Sequence, residues 1–345
     1  MKTAIVILNW NGAAMLRRFL PTVVANTPQD EARIIVADNG STDDSMAVLS
    51  SEFPTVEVIP LDQNYGFAEG YNQALKRVGG EPDLYLLLNS DVETPSGWLA
   101  PLTDYMERHP DVAACQPKLR AEHTRSQFEY AGAAGGFIDA WGYPFCRGRI
   151  FDTVETDNGQ YDDVADIFWA TGAALLIRAK CYWEVGGLDG RFFAHQEEID
   201  LCWRLRSRGF RLVCMPQSVV YHVGGGTLPK ENPRKTYLNF RNNLLLLYKN
   251  LPDERLRRVM FVRWWLDLLA SLVFLLKGES RSFRAVWRAH RDFHRMRRDF
   301  MGDRKTNLAS AVVNPIPEMY PGSLLVGYHL RQRKTFDKLH LHSVG

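Results

Sequence analysis

Four groups of polar residues in this chain have the types and positions to do chemistry. Asn89-Ser90-Asp91 ends an apolar run, Leu84 to Leu88. A carboxylate there can hold a hard divalent cation, and the cation can hold a phosphate. The same triplet would also serve as a polar strand cap before a turn. Asp38-Asn39-Gly40-Ser41 ends a second apolar run. Asp38 could accept from the imide N–H of a uracil or thymine ring, or the set could be a helix N-cap box. Glu197, Glu198 and Asp200 place three carboxylates within four positions. Acidic residues suit a helix N-terminus through its dipole. Their mutual repulsion is nevertheless a cost, unless one works as a base or meets a cation. His222 stands at a strand end before glycines, a better place for a ligand than most lone histidines have.

The elements that position these groups follow from the apolar pattern. Residues 3–8, 33–37, 56–59 and 84–88 read as strands, and helical spacing covers 13–26, 42–52 and 66–77. This alternation predicts an α/β fold with a doubly wound parallel sheet. Ligands of such sheets gather at the carboxyl ends of the strands, so Asp38 and Asp91 should share one crevice. Gly66 should open a helix whose first amides face an anion. The middle section, 113–166, is less regular. Ala131 to Gly136 reads as a flexible glycine-rich turn, and Asp152 to Asp163 as an exposed acidic loop suited to an acceptor lid or a plain insertion. Trp169 to Arg178 reads as a strand with small residues at its start, where a ligand can approach closely. A helix from Glu197 to Gly209 and a strand over 212–215 follow.

Global features narrow the class. A chain of 345 residues with net charge +2 can bury a large core and has no general basic character, so nucleic acid is not an expected partner. Five cysteines without a close pair point to reduced thiols and a cytosolic setting. The apolar N-terminal stretch, Ala4 to Leu8, is too short for a signal segment, so the chain is expected to begin with its first strand. The glycine patterns of dinucleotide-binding and P-loop motifs do not occur at the first strand.

Six stretches in order resemble the inverting family 2 glycosyltransferases with a GT-A fold, closest to their rhamnosyltransferase-like branch. They are Ile7 to Gly12, Val36 to Asp43, Asn64 to Asn72, Leu88 to Asp91, Phe192 to Arg204, and His222 with its glycines. The resemblance implies a mostly parallel central sheet flanked by helices. Residues 1–235 would form the catalytic domain, divided into a nucleotide-sugar-binding half (1–112) and an acceptor and base half (113–235). Residues 236–345 would be a helical, basic C-terminal region. On this resemblance the donor, a UDP- or dTDP-linked sugar, would be bound by Asn9, Asn11, Asp38, Asn64, Gly66, Asn72, Asn89, Ser90 and Asp91. Asp91 and His222 would hold Mg2+ or Mn2+. Glu198 falls at the position of the catalytic base, with Glu197 as a competitor. Trp169, Thr171, Gly172 and Asp200 would face the acceptor, a glycan or lipid-linked hydroxyl. Asn89 replaces an acidic residue of the family's metal motif, and Glu198 replaces an aspartate. These departures leave open an alternative, a relative that binds nucleotide sugars without turnover.

The C-terminal region carries its own signal. Val259 to Leu276 is strongly apolar but interrupted by Arg263 and Asp267 at i, i+4, which argues for an interfacial or core-packed helix rather than a spanning one. Arg281, Arg284, Arg288, Arg291, Arg295 and Arg298 then form a helical stripe opposite Phe283, Val286, Trp287, His290 and Phe293. This basic amphipathic pattern over residues 257–300 suits a membrane-surface anchor. The expected location is cytoplasmic, peripheral on the inner face of the membrane.

Overall fold

Thr3–Asn9 (β1) and Leu84–Asn89 (β4) are apolar along nearly their whole length, as strands covered on both faces must be. The structure, a computed structural model describing residues 1–224 and 232–341, places them side by side inside a nine-stranded sheet. Alternate side chains of β1 enter opposite layers. Ile5 and Ile7 join the core beneath α1 (Ala13–Asn26), α2 (Ser45–Glu52) and α4 (Ala100–Arg108). Ala4 and Val6 join the core beneath α3 (Gly66–Arg77), α5 (Ala179–Glu184), α6 (Glu197–Ser207) and α7 (Pro233–Asn250).

β1 lies between β4 and Ala32–Asp38 (β2), and Glu57–Pro60 (β3) follows, all parallel. The register sets Asn9 beside Asp38 and Leu8 beside Asn89, so the polar strand ends meet at one edge. The expected parallel sheet holds through these four strands and becomes mixed beyond them. Ala174–Arg178 (β12) runs antiparallel to both β4 and Val112–Ala121 (β6), and Arg211–His222 (β13) runs parallel to β6. Val92–Glu93 (β5) and Ala165–Asp166 (β11) are antiparallel to β13. Because β12 enters from the polar edge, Ala174 pairs with Leu88. Because β13 ends there, His222 pairs with Val92, the residue after Asp91.

The middle section departs from expectation. Gly136–Asp139 (β7), Pro144–Cys146 (β8), Arg149–Ile150 (β9), Thr153–Val154 (β10) and Met319–Tyr320 (β14) form a second sheet in the order β10-β9-β8-β7-β14. The glycine-rich stretch is not a flexible turn, since Ala133 and Ala134 are buried. Its glycines permit contact: a Cβ on Gly136 would lie 2.1 Å from the Trp169 ring. The acidic run is largely exposed, as expected, but it is pinned at one point. The Asp157 carboxylate is buried and pairs with Lys118 and Arg120, because a lysine buried on β6 requires a counter-charge.

In the C-terminal region α7 inserts Leu244, Leu245, Leu246 and Leu247 into the same core as α6. Asp253–Leu276 (α8) and Ser280–Met296 (α9) pack on one another, and Met301–Ala309 (α10) packs on α7. α8 is inverted: its buried residues are Val259, Arg263, Asp267 and Ser271, one per turn. Arg263 and Asp267 form an ion pair at 3.0 Å, which His290 of α9 completes at 3.0 Å from the other carboxylate oxygen. The charges that interrupt the apolar run are therefore its inner seam. Of the apolar residues of α9, Val286 and Phe293 turn inward and are buried while Trp287 is exposed, and the stripe arginines, five on α9 and Arg298 just beyond it, stay exposed.

Candidate active site

The ends of β1 and β2 are tied into a closed polar web. The Asn9 amide donates to Asp38 Oδ1 at 3.0 Å and to Ser41 Oγ at 3.3 Å, and the Ser41 N–H donates to Asp38 Oδ2 at 3.0 Å. Asn9 and Asp38 are buried, and Asn9 Oδ1 keeps no partner. Asn11, in a left-handed conformation, accepts from the Thr42 and Asp43 amides and joins the two loops. Asn39 does similar work at α3: its side chain takes the Tyr65 N–H and donates to Asn64 Oδ1 and the Gly66 carbonyl. The reading of the sequence did not single out Asn39, although it stands inside the Val36 to Asp43 stretch.

Two expectations for this half are corrected. The first amides of α3 are not free for an anion. The Gly66 N–H donates to Asn64 Oδ1 at 2.8 Å, and those of Phe67 and Ala68 donate to the Phe193 carbonyl. Gly66 is required instead by its φ of +76° and by the Phe193 ring, 2.7 Å from where a Cβ would stand. Asn72 faces the interior: it donates to the Leu188 carbonyl at 2.7 Å and accepts from the Tyr182 hydroxyl at 2.7 Å. It fastens α3 to a turn and is closed to a donor.

At the next strand ends, residues 131 positions apart meet: His222 Nε2 lies 3.1 Å from Asp91 Oδ1 and 3.4 Å from Asn89 Nδ2. The Val223 N–H donates to the Asp91 carbonyl, which locks the two strand ends together. On the far side of the ring, Nδ1 lies 3.4 Å from Glu129 Oε1 without an aligned hydrogen bond. Burial opposes a charged imidazole here, but Glu129 and Asp91 outweigh it and push His222 up to about 10. Burial also disfavours ionised Asp91, yet its contact with His222 holds it below the ordinary carboxylate range. One carboxylate oxygen and one imidazole nitrogen at a strand edge are a fitting donor pair for a divalent cation, provided that the cation displaces the proton which otherwise ties His222 to Asp91. Among the described residues no group of three or more His, Cys, Asp or Glu side chains could hold an ion. A cation would therefore depend on oxygens of a bound ligand as well. Glu129 lies in the irregular middle section, where no sequence pattern marks it. The glycines at 225 and 226 lie outside the described residues.

The third cluster is the start of α6. The three carboxylates separate by environment. Asp200, fully buried, pairs with Arg204 and Lys249 and accepts from Asn250. Among the described residues Glu197 and Glu198 pair with no cation, and each leaves one buried carboxyl oxygen without a partner. Burial lifts Glu198 to about 7; burial and the neighbouring Glu198 lift Glu197 well above its ordinary value. A Cβ on Gly172 would stand 3.8 Å from Glu198 Cβ, and the next carbonyl, of Ala173, accepts from the Asn89 N–H at 2.9 Å. The start of α6 thus abuts the strand-end cluster. His195, which the sequence reading passed over, has a buried unpartnered Nε2, and burial with Lys235 nearby lowers it to about 4.

Three of the four acceptor-side expectations are corrected. Trp169 is buried against Gly136 and donates to the Phe137 carbonyl at 2.9 Å. The Thr171 hydroxyl donates to the Ala131 carbonyl at 2.7 Å and accepts from the Ala173 N–H. Asp200 belongs to the buried ion network. Gly172 alone lies against Glu198, where a side chain would press on the Phe67 ring at 3.2 Å.

Comparison with known proteins agrees with this architecture. Residues 4–163 match the family model of glycosyl transferase family 2. The chain is 27% identical over 231 residues to the N-acetylglucosaminyl-diphospho-decaprenol L-rhamnosyltransferase of Mycobacterium tuberculosis, covering 63% of this chain and 75% of that one. It is 25% identical over 227 residues to rhamnosyltransferase WbbL of Escherichia coli, covering 63% and 82%. Among solved structures, GalNAc-T7 with UDP, GalNAc and Mn2+ superposes with a TM-score of 0.58 at 16% identity, over 74% of this chain and only 49% of that one. The mannosyltransferase PcManGT of Pyrobaculum calidifontis, with GDP-Man and Mn2+, gives a TM-score of 0.51 at 11% identity, over 89% and 85%. At such identities these two likenesses speak to the fold. Residues 4–163 form a family 2 glycosyltransferase domain, and the chain is a glycosyltransferase of GT-A fold, similar to the rhamnosyltransferases of that family.

Proposed function

We propose that this enzyme moves a sugar from a UDP- or dTDP-linked donor to a hydroxyl of a glycan or lipid-linked acceptor, with inversion, in cell-surface polysaccharide synthesis. The observation that carries the reading is a pair of glutamates beside the Asn89–Asp91 strand end, Glu197 buried and Glu198 half-buried, each with a buried carboxyl oxygen that has no partner among the described residues. An acceptor alcohol is a poor nucleophile until a base takes its proton, and a carboxylate raised towards neutrality is suited to that task. Glu198 takes this role, since it lies against Gly172. Glu197 stays protonated and can donate to the acceptor or to its neighbour. Asp38 and the Asn9 web hold the nucleobase side, with Asn11 and Asn64 shaping the loops around it and Asn89 and Ser90 at the sugar side. Asp91 and His222 would hold Mg2+ or Mn2+, and a cation there would neutralise the diphosphate leaving group. Glu129 faces the His222 ring from behind, where carboxylate partners of metal-binding histidines stand. In-line attack then needs no covalent enzyme intermediate.

The acceptor is met at the inner, cytoplasmic face of a membrane. The lipid-facing surface is the outer side of α8, where Phe261 is 66% exposed, Leu269 59% and Leu276 88%, with Trp264 and Trp265 beside them. An apolar face this large beside the exposed arginines of α9 fits an anionic interface. It also refines the expected anchor: α9 supplies charge and α8 the apolar contact. Turnover should be assayed as nucleotide release from a panel of UDP- and dTDP-sugars with Mn2+. Thermal stabilisation by the correct donor would accompany it, and silence across the panel in both assays would sink the reading.

A further inference from the structure

The segment that delivers Glu197 and Glu198 holds an unusual backbone. Phe193, His195 and Gln196 have φ of 69°, 71° and 69°, and none is glycine. At Phe193 the chain makes a tight three-residue turn, with the Ala194 N–H donating to the Phe192 carbonyl at 2.9 Å. Such conformations persist only where the surroundings over-determine them, and they concentrate at functional sites. Here they turn several carbonyls inward, and buried carbonyls need donors.

Those donors come from one turn of α7. The Asn242 side-chain nitrogen lies 3.1, 2.9 and 2.7 Å from the carbonyls of Phe192, Ala194 and His195. Its orientation is set by Arg241, which donates to Asn242 Oδ1 at 2.9 and 2.7 Å and also to the Phe192 carbonyl at 2.8 Å. Asn243 repeats the arrangement one residue on. Arg263 from the inner seam of α8 donates to its Oδ1, which turns its NH2 group to Gln196 Oε1 at 3.0 Å and the Gly142 carbonyl at 2.7 Å. Gln196 immediately precedes Glu197. In each pair an arginine reads the amide oxygen, so that the amide nitrogen can hold the segment. The opposite side is held by α3, whose Phe67 and Ala68 amides donate to the Phe193 carbonyl.

We infer that Arg241, Asn242 and Asn243, with Arg263 behind them, are positioning residues that hold the Phe193–Gln196 segment and so aim the two glutamates at the acceptor. The inference rests on the proposed role of Glu198. It extends that role to residues that touch neither donor nor acceptor. Misplacement of a catalytic group by about 1 Å can cost about a hundredfold in rate.

Two variants of the full chain test it. Asn242→Asp keeps the volume but sets an acceptor against three carbonyls, and Asn243→Ala removes the grip on Gln196. Hydrogen–deuterium exchange over residues 190–200 should be about tenfold faster or more in both. The kcat for nucleotide release should fall about 10- to 100-fold. Affinity for UDP or dTDP with Mn2+, measured calorimetrically, should change by less than about threefold. Unchanged exchange over 190–200 in both variants would overturn the inference, and so would a kcat within twofold of wild type. Nucleotide affinity lost as heavily as kcat in both would also overturn it, because that marks general collapse. If the wild type releases no nucleotide from any donor, the transfer reading fails, while the exchange measurement still decides whether these side chains hold the segment.

Discussion

Glu197 and Glu198 are adjacent, yet their surroundings differ. Glu198→Gln keeps the shape and removes the proposed base, so kcat should fall by a factor of about 10² or more with donor binding retained. In the wild type, kcat should fall as the pH drops through about 7, where Glu198 gains its proton, and the variant should lack that limb. Glu197 makes a stability prediction. Its carboxyl is raised above the ordinary 4.5, so the folded state favours its neutral form. That contribution is complete below about pH 4.5 and is lost as the pH rises through the raised value. Glu197→Gln should therefore raise the Tm relative to wild type at pH 8 and leave it nearly unchanged at pH 5. A stabilisation larger at pH 5 would reverse the assignment. In the proposed cation site, Glu129 would bear on metal affinity. Glu129→Gln should weaken Mn2+ binding about 10- to 100-fold in the presence of UDP, read from the Mn2+ electron paramagnetic resonance signal.

Single elements here are held by charges in unusual places. α8 turns Arg263 and Asp267 inward and its leucines and tryptophans outward, the reverse of an ordinary surface helix. Its seating therefore depends on the Arg263–Asp267–His290 cluster. Asp267→Ala would leave a buried guanidinium short of its counter-charge, and urea unfolding should report a loss of about 3 kcal/mol. A loss below about 1 kcal/mol would mean that α8 is held mainly by other contacts. At α3, Gly66→Ala would force a Cβ against the Phe193 ring at a φ that L-residues resist. The two halves of the site meet at that contact.

Over the whole molecule, the polar edge of the sheet, the α6 segment and the inverted α8 are linked through α7. The proposed encounter with an acceptor at a lipid surface is a property of this whole assembly. Flotation with phosphatidylglycerol vesicles at low salt should recover the wild type. A variant carrying Trp265→Glu and Leu269→Glu should stay in the dense fraction, with its Tm little changed because both side chains are already solvent-facing. Equal flotation of both proteins would remove α8 as the docking surface.

Much of this was legible in the sequence, for identifiable reasons. Apolar runs of β1, β2 and β4 ending in Asn9, Asp38 and Asn89 carry their own periodicity, so these parallel strands and the polar edge followed from pattern, while the antiparallel partners that make the sheet mixed did not. The helix at Glu197 and the conflict among its three carboxylates were also local facts. Pairing between distant segments was not local. Only the antiparallel entry of β12 and the end of β13 beside β5 brought His222 to Asp91, and only tertiary packing sent Asp200 to Lys249 while leaving Glu198 without a cation among the described residues. Trp169, Thr171 and Asn72 have the chemistry of ligand-binding residues, but the packing around them consumed their hydrogen bonds. Residue type and spacing state what a side chain could do; which way it faces, and what already satisfies it, is decided by contacts with segments 32 to 131 residues away along the chain.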